Sequence, residues 1–576
     1  MKIKHILAAS AALCLVQNVA YAQDLDPTVV VNKAYEGKLI QVHKPSLEMS
    51  VPDSLTRFDL DFDYLVSSMP YKGGQGFNPY VLTMKPASMV HEPKTLYLNA
   101  GAGYSLHPTF DLVWSPLSSR KFKMDVYAVH RSYVGDYRYF RPEADTESGA
   151  EKGSWKGYDL MTKAGVDGRY EATSLSAVFD AAYYGLASKD MQKRRMYDGL
   201  DVRLGLASKP RNSSYFKYDV QAAYRFAEDK IEYNTALDDY LGEHVFGLDV
   251  ALGQVLGEGH QIVFDIDLDM AAYSHDSLSS VVGQLAMVPH YVYKKGRWTL
   301  DAGLRLAKVM RSSDSKGMFG AREQIVYPEI KTSLSLIPDA MRMYAYVGGG
   351  NRINTYSSLL EENHHLDTSY GLGRYGLMDI TVERVSASLG VDGRIGAAFS
   401  YDLRGGYVNY ASALLDAVAI APVGSQIQYV PGVGYAPYQK CFAALDWRLD
   451  SDSFRFDGNV VYTHAWGMKN AGGLYAPAAL TGDLSLEYNW IRRLYAGVDC
   501  AFSSVRKGSV YDFTAAQEYP SHIPGYIDLG VYMEYACSRS FSVWARGGNL
   551  LGMDIQRNPL YAEKGMSVTV GICLNL

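Results

Sequence analysis

The sequence predicts an all-β protein: a transmembrane antiparallel up-and-down β-barrel of roughly 22 strands, with short periplasmic turns and long extracellular loops. Three observations predict it. Tight turns and longer connections alternate from Thr95 to Leu576. Between them, apolar and polar residues alternate over membrane-spanning lengths. Beyond residue 22 there is no run of about 18 apolar residues. The chain has 576 residues, 48% of them hydrophobic, with a mean hydropathy of −0.14, so its apolar character is diluted by alternation.

The tight turns are Leu117–Arg120, Leu256–Gly259, Lys294–Gly296, Ile337–Asp339, Asp392–Arg394, Asp450–Ser453, Trp490–Arg492 and Cys537–Arg539. Longer connections include Ser132–Met161, Gly185–Gly199, Asn351–Glu383, Gly467–Ala478 and Ser504–Pro524. A soluble sandwich has no reason to collect its short turns at one end, whereas an outer-membrane barrel does. Ile427–Tyr435 has strand-like residues but lies inside the long Tyr410–Gln439 connection. An extra strand there would break the alternation, so it reads as part of an outer loop. That keeps the strand number even and both barrel ends periplasmic.

The last segment shows the pattern most clearly. Met566, Val568, Val570, Ile572, Leu574 and Leu576 share one face, and Ser567, Thr569, Gly571, Cys573 and Asn575 the other. Ile527, Leu529, Val531, Met533 and Tyr535 alternate in the same way with Asp528, Gly530, Tyr532 and Glu534. So do Ile262, Phe264, Ile266, Leu268 and Met270 with Val263, Asp265, Asp267 and Asp269. Burying such charges in a soluble core would cost several kcal/mol each. In a wide barrel they face a polar lumen. The 46 tyrosines suit the two membrane–water interfaces, being apolar along the ring and polar at the hydroxyl.

The front of the chain reads differently. Lys2 and Lys4, the apolar stretch Ile6–Val16 and Ala20-Tyr21-Ala22 form a secretory signal peptide, residues 1–22, cleaved before Gln23. Cys14 lacks the small preceding residue of a lipidated cysteine. Residues 23–94 form a short N-terminal segment and residues 95–576 the barrel. Within the segment Phe58, Leu60, Phe62 and Tyr64 alternate with Asp59, Asp61 and Asp63, and Pro70, Gly73-Gly74, Gly76 and Pro79 then break the pattern. Four cysteines remain after cleavage, Cys441, Cys500, Cys537 and Cys573. Three disulfide pairings are open to them, and isolated strand thiols are the simpler reading.

Two stretches resemble the barrel of TonB-dependent receptors. The first is Tyr327-Pro328-Glu329-Ile330 with Thr332–Leu336, a Pro338-Asp339 turn, Tyr344-Ala345-Tyr346-Val347-Gly348-Gly349-Gly350-Asn351-Arg352 and Ser358-Leu359-Leu360. The second is Gly548-Asn549-Leu550-Leu551, Tyr561, Gly565 and the terminal Val570-Gly571-Ile572. The last residue is Leu576, where that family usually has an aromatic. The resemblance implies a plug of about 130 residues ahead of the barrel, and residues 23–94 supply about half of that. Thr28-Val29-Val30-Val31 resembles the short β-prone motif that meets TonB, and also reads as an ordinary strand. The segment is expected to be a reduced plug in the lumen or a periplasmic docking arm.

Asp265, Asp267 and Asp269 project together about 7 Å apart. They read as an acidic lumen face; oxygen ligands of this kind also suit a cation. Glu361, Glu362, His364 and His365 read as a solvated loop cluster, with metal or ligand contact as the sharper alternative. There is no phosphate-binding glycine loop, paired-cysteine zinc pattern or nucleophile elbow. No enzyme activity, cofactor or metal is expected, and no basic patch suggests nucleic acid. The expected setting is the outer membrane of a Gram-negative bacterium, with membrane lipid as a partner. Transport or uptake is the first functional expectation. A scaffold for surface or periplasmic lipoproteins or an assembly complex is the alternative.

Overall fold

The computed structural model describes residues 95–576 apart from 105, 143–149, 210–215, 236–237, 276–277, 313–324, 339, 368–377, 424, 452 and 469–471. The signal peptide, residues 23–94 and Thr28–Val31 lie outside the described residues.

Period-2 alternation is realised as antiparallel strands in sequence order. The wall opens with β1 (Leu96–Gly103), β2 (Thr109–Ser118), β3 (Phe122–Pro142), β4 (Ala150–Glu171), β5 (Leu175–Lys189), β6 (Lys193–Ser208), β7 (Phe216–Tyr233) and β8 (Asp238–Gly257). It continues through β9 (His260–His275), β10 (Leu278–Lys295), β11 (Trp298–Arg311), β12 (Val326–Ile337), β13 (Met341–Ile353), β14 (Ile380–Ile395), β15 (Phe399–Val423) and β16 (Gln426–Asp450). Next come β17 (Phe454–Trp466), β18 (Leu480–Trp490) and β19 (Leu494–Ser503). β20 (Arg506–Asp512) and β21 (Gln517–Ile523) pair with each other as a hairpin off the wall. The wall resumes with β22 (Tyr526–Ala536), β23 (Phe541–Gly548) and β24 (Ser567–Asn575). β19 pairs with β22, and β24 returns to β1 over Tyr97–Gly103, closing a 22-stranded barrel. Among the described residues no helix is long and apolar enough to cross a membrane.

Each face takes the place its chemistry requires. Val568, Val570 and Ile572 of β24, Ile527 and Met533 of β22, and Ile262 and Met270 of β9 stand exposed on the outside. Asp265 of β9 is buried on the opposite side. The tyrosines divide between two environments. Tyr170, Tyr291, Tyr488 and Tyr535 are exposed near the turn end with Trp298 and Trp490, while Tyr183, Tyr224 and Tyr462 are exposed about eight residues further along their strands. At ordinary strand rise and tilt that separation is roughly 20 Å, near the height of a barrel's apolar band. Many others are buried, among them Tyr184, Tyr197, Tyr233, Tyr273 and Tyr327.

Glycines receive several of the large rings. The Trp544 indole lies where a Cβ at Gly101 or Gly571 would stand, and Tyr139 lies likewise across Gly153. Trp544 Nε1 also donates to Asn99 Oδ1 at 2.6 Å, joining β23 to β1 across β24.

The alternation of connections holds, with two corrections. The β14–β15 turn falls at residues 396–398, because Asp392–Arg394 still pairs with Ser400–Asp402. Several expected long loops are strands that run on past the membrane. β3 and β4 pair from Phe122↔Tyr170 to Pro142↔Ala150, and β5 and β6 meet across residues 190–192. Ile427–Tyr435 is likewise strand: it belongs to β16 and pairs with β15 up to Val423↔Gln426. Paired backbone groups remain satisfied outside the lipid, so the ladder continues after the lipid-facing alternation stops. The strand count stays even because the added length lies within the same two strands. The four cysteines are free thiols.

Candidate functional site

After β13, residues 354–367 turn into the barrel at its loop end. Thr355 caps a short helix, α1 (Tyr356–Glu362), its hydroxyl accepting from the Ser358 N–H at 3.3 Å. Helix residues Tyr356, Leu359 and Leu360, and Leu366 beyond, pack on Tyr184, Leu186, Tyr197, Ala227, Leu241, Ala271 and Tyr273. Those residues belong to β5–β9, so the segment crosses from β13 to another part of the inner wall. Burying each such apolar side chain stabilises the seat by about 1.5–3 kcal/mol.

Charges on β4 and β6–β8 hold the rest of the segment. Arg195 is 1% exposed, and its Nε lies 3.2 Å from Asp229 Oδ2. Its guanidinium also donates to the His364 and Leu366 carbonyls, and to the Tyr356 hydroxyl at 3.3 Å. The Tyr356 hydroxyl donates to Asp229. Lys193 Nζ donates to the carbonyls of His365 and Leu366 at 3.0 and 2.9 Å, and to Asp367 Oδ2 at 3.2 Å. Tyr233 donates to Asp367 Oδ1 at 2.7 Å. Glu243 accepts from the Ser357 N–H at 3.1 Å, and Arg225 pairs with Glu361 at 3.2 Å. His364 Nδ1 stands 2.8 Å from Asp159 Oδ2.

A hairpin lies over this segment. The β15–β16 register shifts between Tyr410 and Ala413, and a bulge bends the strand that carries it. Beyond it the hairpin leaves the wall. Ala421, Val423 and Val430 pack on Ile231 and Tyr233 of β7, eight strands away, and the Tyr429 hydroxyl donates to the Pro142 carbonyl at 2.7 Å. The hairpin therefore spans the mouth. It touches the segment beneath it where the Asp367 N–H donates to the Pro431 carbonyl at 3.0 Å. Residues 549–566 add a third layer: the His365 imidazole stacks on the Tyr561 ring at 4.1 Å, and the Phe140 N–H donates to the Leu560 carbonyl at 2.7 Å.

Neighbouring histidines are set oppositely. Burial works against the charged form of His364, but the Asp159 carboxylate outweighs it and raises the imidazole above its ordinary value. Burial lowers His365 to about 3, with His364, Lys193 and Arg195 adding to the effect against the pull of Asp159. The pairing with Asp159 thus favours the charged form of His364, while burial favours His365 as a neutral stacking ring.

Of the cluster expected to be solvated, Glu362 is exposed, whereas Glu361 and His364 contact Arg225 and Asp159 inside the mouth and His365 stacks on Tyr561. No group of His, Cys, Asp and Glu suited to a metal occurs among the described residues. Asp265, Asp267 and Asp269 lie on β9 opposite its exposed apolar face. Asp267 accepts from Arg305 at 3.0 Å, and His290 Nε2 is 3.2 Å from Asp265. Sequence reading missed Lys193, Arg195, Asp229, Glu243 and Asp367 as one site. The available signal was Lys193 and Arg195 alternating on one strand face.

No protein-family profile matches this chain, and a search of curated proteins finds no match. Solved structures do match. The FrpB iron transporter from Neisseria meningitidis (F3-3 variant) aligns with TM-score 0.61 at 11% identity, covering 84% of this chain and 82% of that one. The copper transporter OprC aligns with TM-score 0.59 at 11% identity, covering 84% and 80%. A point mutant of the ferric enterobactin receptor PfeA from Pseudomonas aeruginosa aligns with TM-score 0.55 at 11% identity, covering 84% and 80%. At these identities the likeness is one of fold. The resemblance to the TonB-dependent receptor barrel holds at that level, and these neighbours are transporters and receptors rather than enzymes.

Proposed function

We propose that this protein takes up a solute across the outer membrane of a Gram-negative bacterium, with Asn354–Asp367 as the gate at the outer end of its lumen. One observation carries the reading: Lys193, Arg195, Asp229 and Glu243 all engage a single short luminal segment. An apolar seat would hold a permanent filling at least as well, because buried ion pairs are often no more stabilising than the hydrophobic residues that could replace them. The seat is apolar beneath α1 and polar around it, and its polar part can be rehydrated at a net cost of about 0.5–1.5 kcal/mol per hydrogen bond. The barrel shared with the FrpB iron transporter and the copper transporter OprC supports passage as the role.

In this reading residues 1–22 are removed as a signal peptide. Residues 23–94 serve as a reduced plug or periplasmic docking arm, and Thr28–Val31 meets TonB by strand addition. Asp265, Asp267 and Asp269 are part of the wall that the solute passes.

A second reading, a scaffold for lipoproteins or an assembly complex, is favoured by strand length. β15 and β16 have 25 residues each, against the 9–11 or so needed to cross a bilayer. Native purification in mild detergent, with mass spectrometry of retained solutes and proteins, separates the two. Uptake predicts a retained small-molecule class and no stoichiometric protein partner. A stoichiometric lipoprotein with no retained solute would contradict it.

A further inference from the structure

We infer that the β15–β16 hairpin and the luminal segment Asn354–Asp367 are one mechanical unit, so that displacing the hairpin from outside releases the segment within. The inference rests on the reading of that segment as the gate, and it supplies the gate with a handle.

Two sets of contacts join the pieces. At one end, the Tyr435 hydroxyl of β16 donates to the Asp379 carbonyl at 2.9 Å. The same oxygen accepts from the Asp379 N–H at 3.1 Å and from Asn354 Nδ2 at 3.2 Å. Those two residues flank the segment where it leaves β13 and where the chain enters β14. At the other end stands Asp367, 2% exposed. Its N–H reaches the Pro431 carbonyl of the hairpin, and its carboxylate takes Lys193 and Tyr233 from the wall.

Tyr233 belongs to both assemblies. Its ring packs with Ala421, Val423 and Val430 of the hairpin, and its hydroxyl holds the carboxylate of the segment. Lifting the hairpin would bring water to the Lys193–Asp367 pair, and a solvated ion pair holds far less than a geometry fixed in a dry site. A molecule that binds the lifted hairpin better than the seated one therefore shifts the segment as well. Coupling of this kind is reciprocal, so loosening the segment must loosen the hairpin.

Reciprocity gives the test. Hydrogen–deuterium exchange is measured on the full-length protein in detergent for wild type, Tyr435→Phe, Asp367→Asn and Val423→Ser. Val423 packs on the far wall and not on the segment, so its substitution acts on the segment only through the hairpin and through Tyr233. Tyr435→Phe and Val423→Ser should speed exchange over residues 356–366, and Asp367→Asn should speed it over residues 426–434, each by about fivefold or more. Acceleration confined to the substituted element, or no acceleration at all, would overturn the coupling. If Asp367→Asn does not fold, the two hairpin variants still decide the matter. Exchange reports coupling without any passage of solute, so coupled elements in a barrel that never conducts would defeat the gate reading and leave this one standing.

Discussion

Replacing Arg195 with methionine will loosen the luminal segment in its seat while leaving the barrel closed on itself. The guanidinium is 1% exposed and joins Asp229, the Tyr356 hydroxyl and two segment carbonyls. Removing it strands a buried carboxylate, and breaking a buried pair in this way costs about 3–5 kcal/mol. That offsets one or two of the apolar side chains that seat the segment, so the segment should open far more often. Limited proteolysis within residues 356–367 and faster amide exchange there would report it, with the folded barrel band unchanged on an unheated gel. Adding Asp229→Leu should recover most of the protection, because the second substitution removes the stranded charge. Equal protection in wild type, single and double variants would show that these charges do not hold the segment.

Replacing Gly571 with alanine will weaken the barrel at its closing seam. A Cβ there would collide with the Ala100 carbonyl oxygen and with the Trp544 indole. The first is backbone in the β1–β24 ladder and the second is fixed by its bond to Asn99, so neither yields cheaply. Overpacking of this kind costs about 1–3 kcal/mol, and here it falls where first and last strands must meet. The temperature at which the folded gel form converts to the unfolded one should drop. Gly565→Ala is the control, since a Cβ there meets nothing within 4 Å. Equal temperatures for the two variants would show that the seam tolerates the added methyl.

What was legible in the chain follows from where lipid imposes a pattern. Val568, Val570 and Ile572 alternate with small or polar residues because one face meets hydrocarbon and the other does not. The position of Asp265, Asp267 and Asp269 opposite that face follows from period 2 alone. Ile427–Tyr435 was misplaced because a separate strand there would have broken the alternation of turns and loops, whereas β15 and β16 each run on as one strand of 25 residues. The hairpin crossing the mouth is largely covered by protein, so Leu414, Leu415, Ala417, Val418, Ala419, Ile420 and Ala421 interrupt the alternation with one charge among them, Asp416, which pairs with Arg506. Without alternation such a run gives no sign of a strand register. The latch was hidden by sequence separation: Arg195 meets a segment some 170 residues later. Glu361 and His364 were visible as a cluster, but their partners Arg225 and Asp159 come from strands far away in the chain.

Planar-bilayer conductance tests the central claim, that the latched segment closes the barrel. The full-length mature protein is compared with a variant in which a glycine–serine linker replaces residues 354–379. The wild-type barrel should show no steady current, and the linker variant should show a stable open pore. Steady current through the wild type, or silence of the linker variant, would contradict the gate.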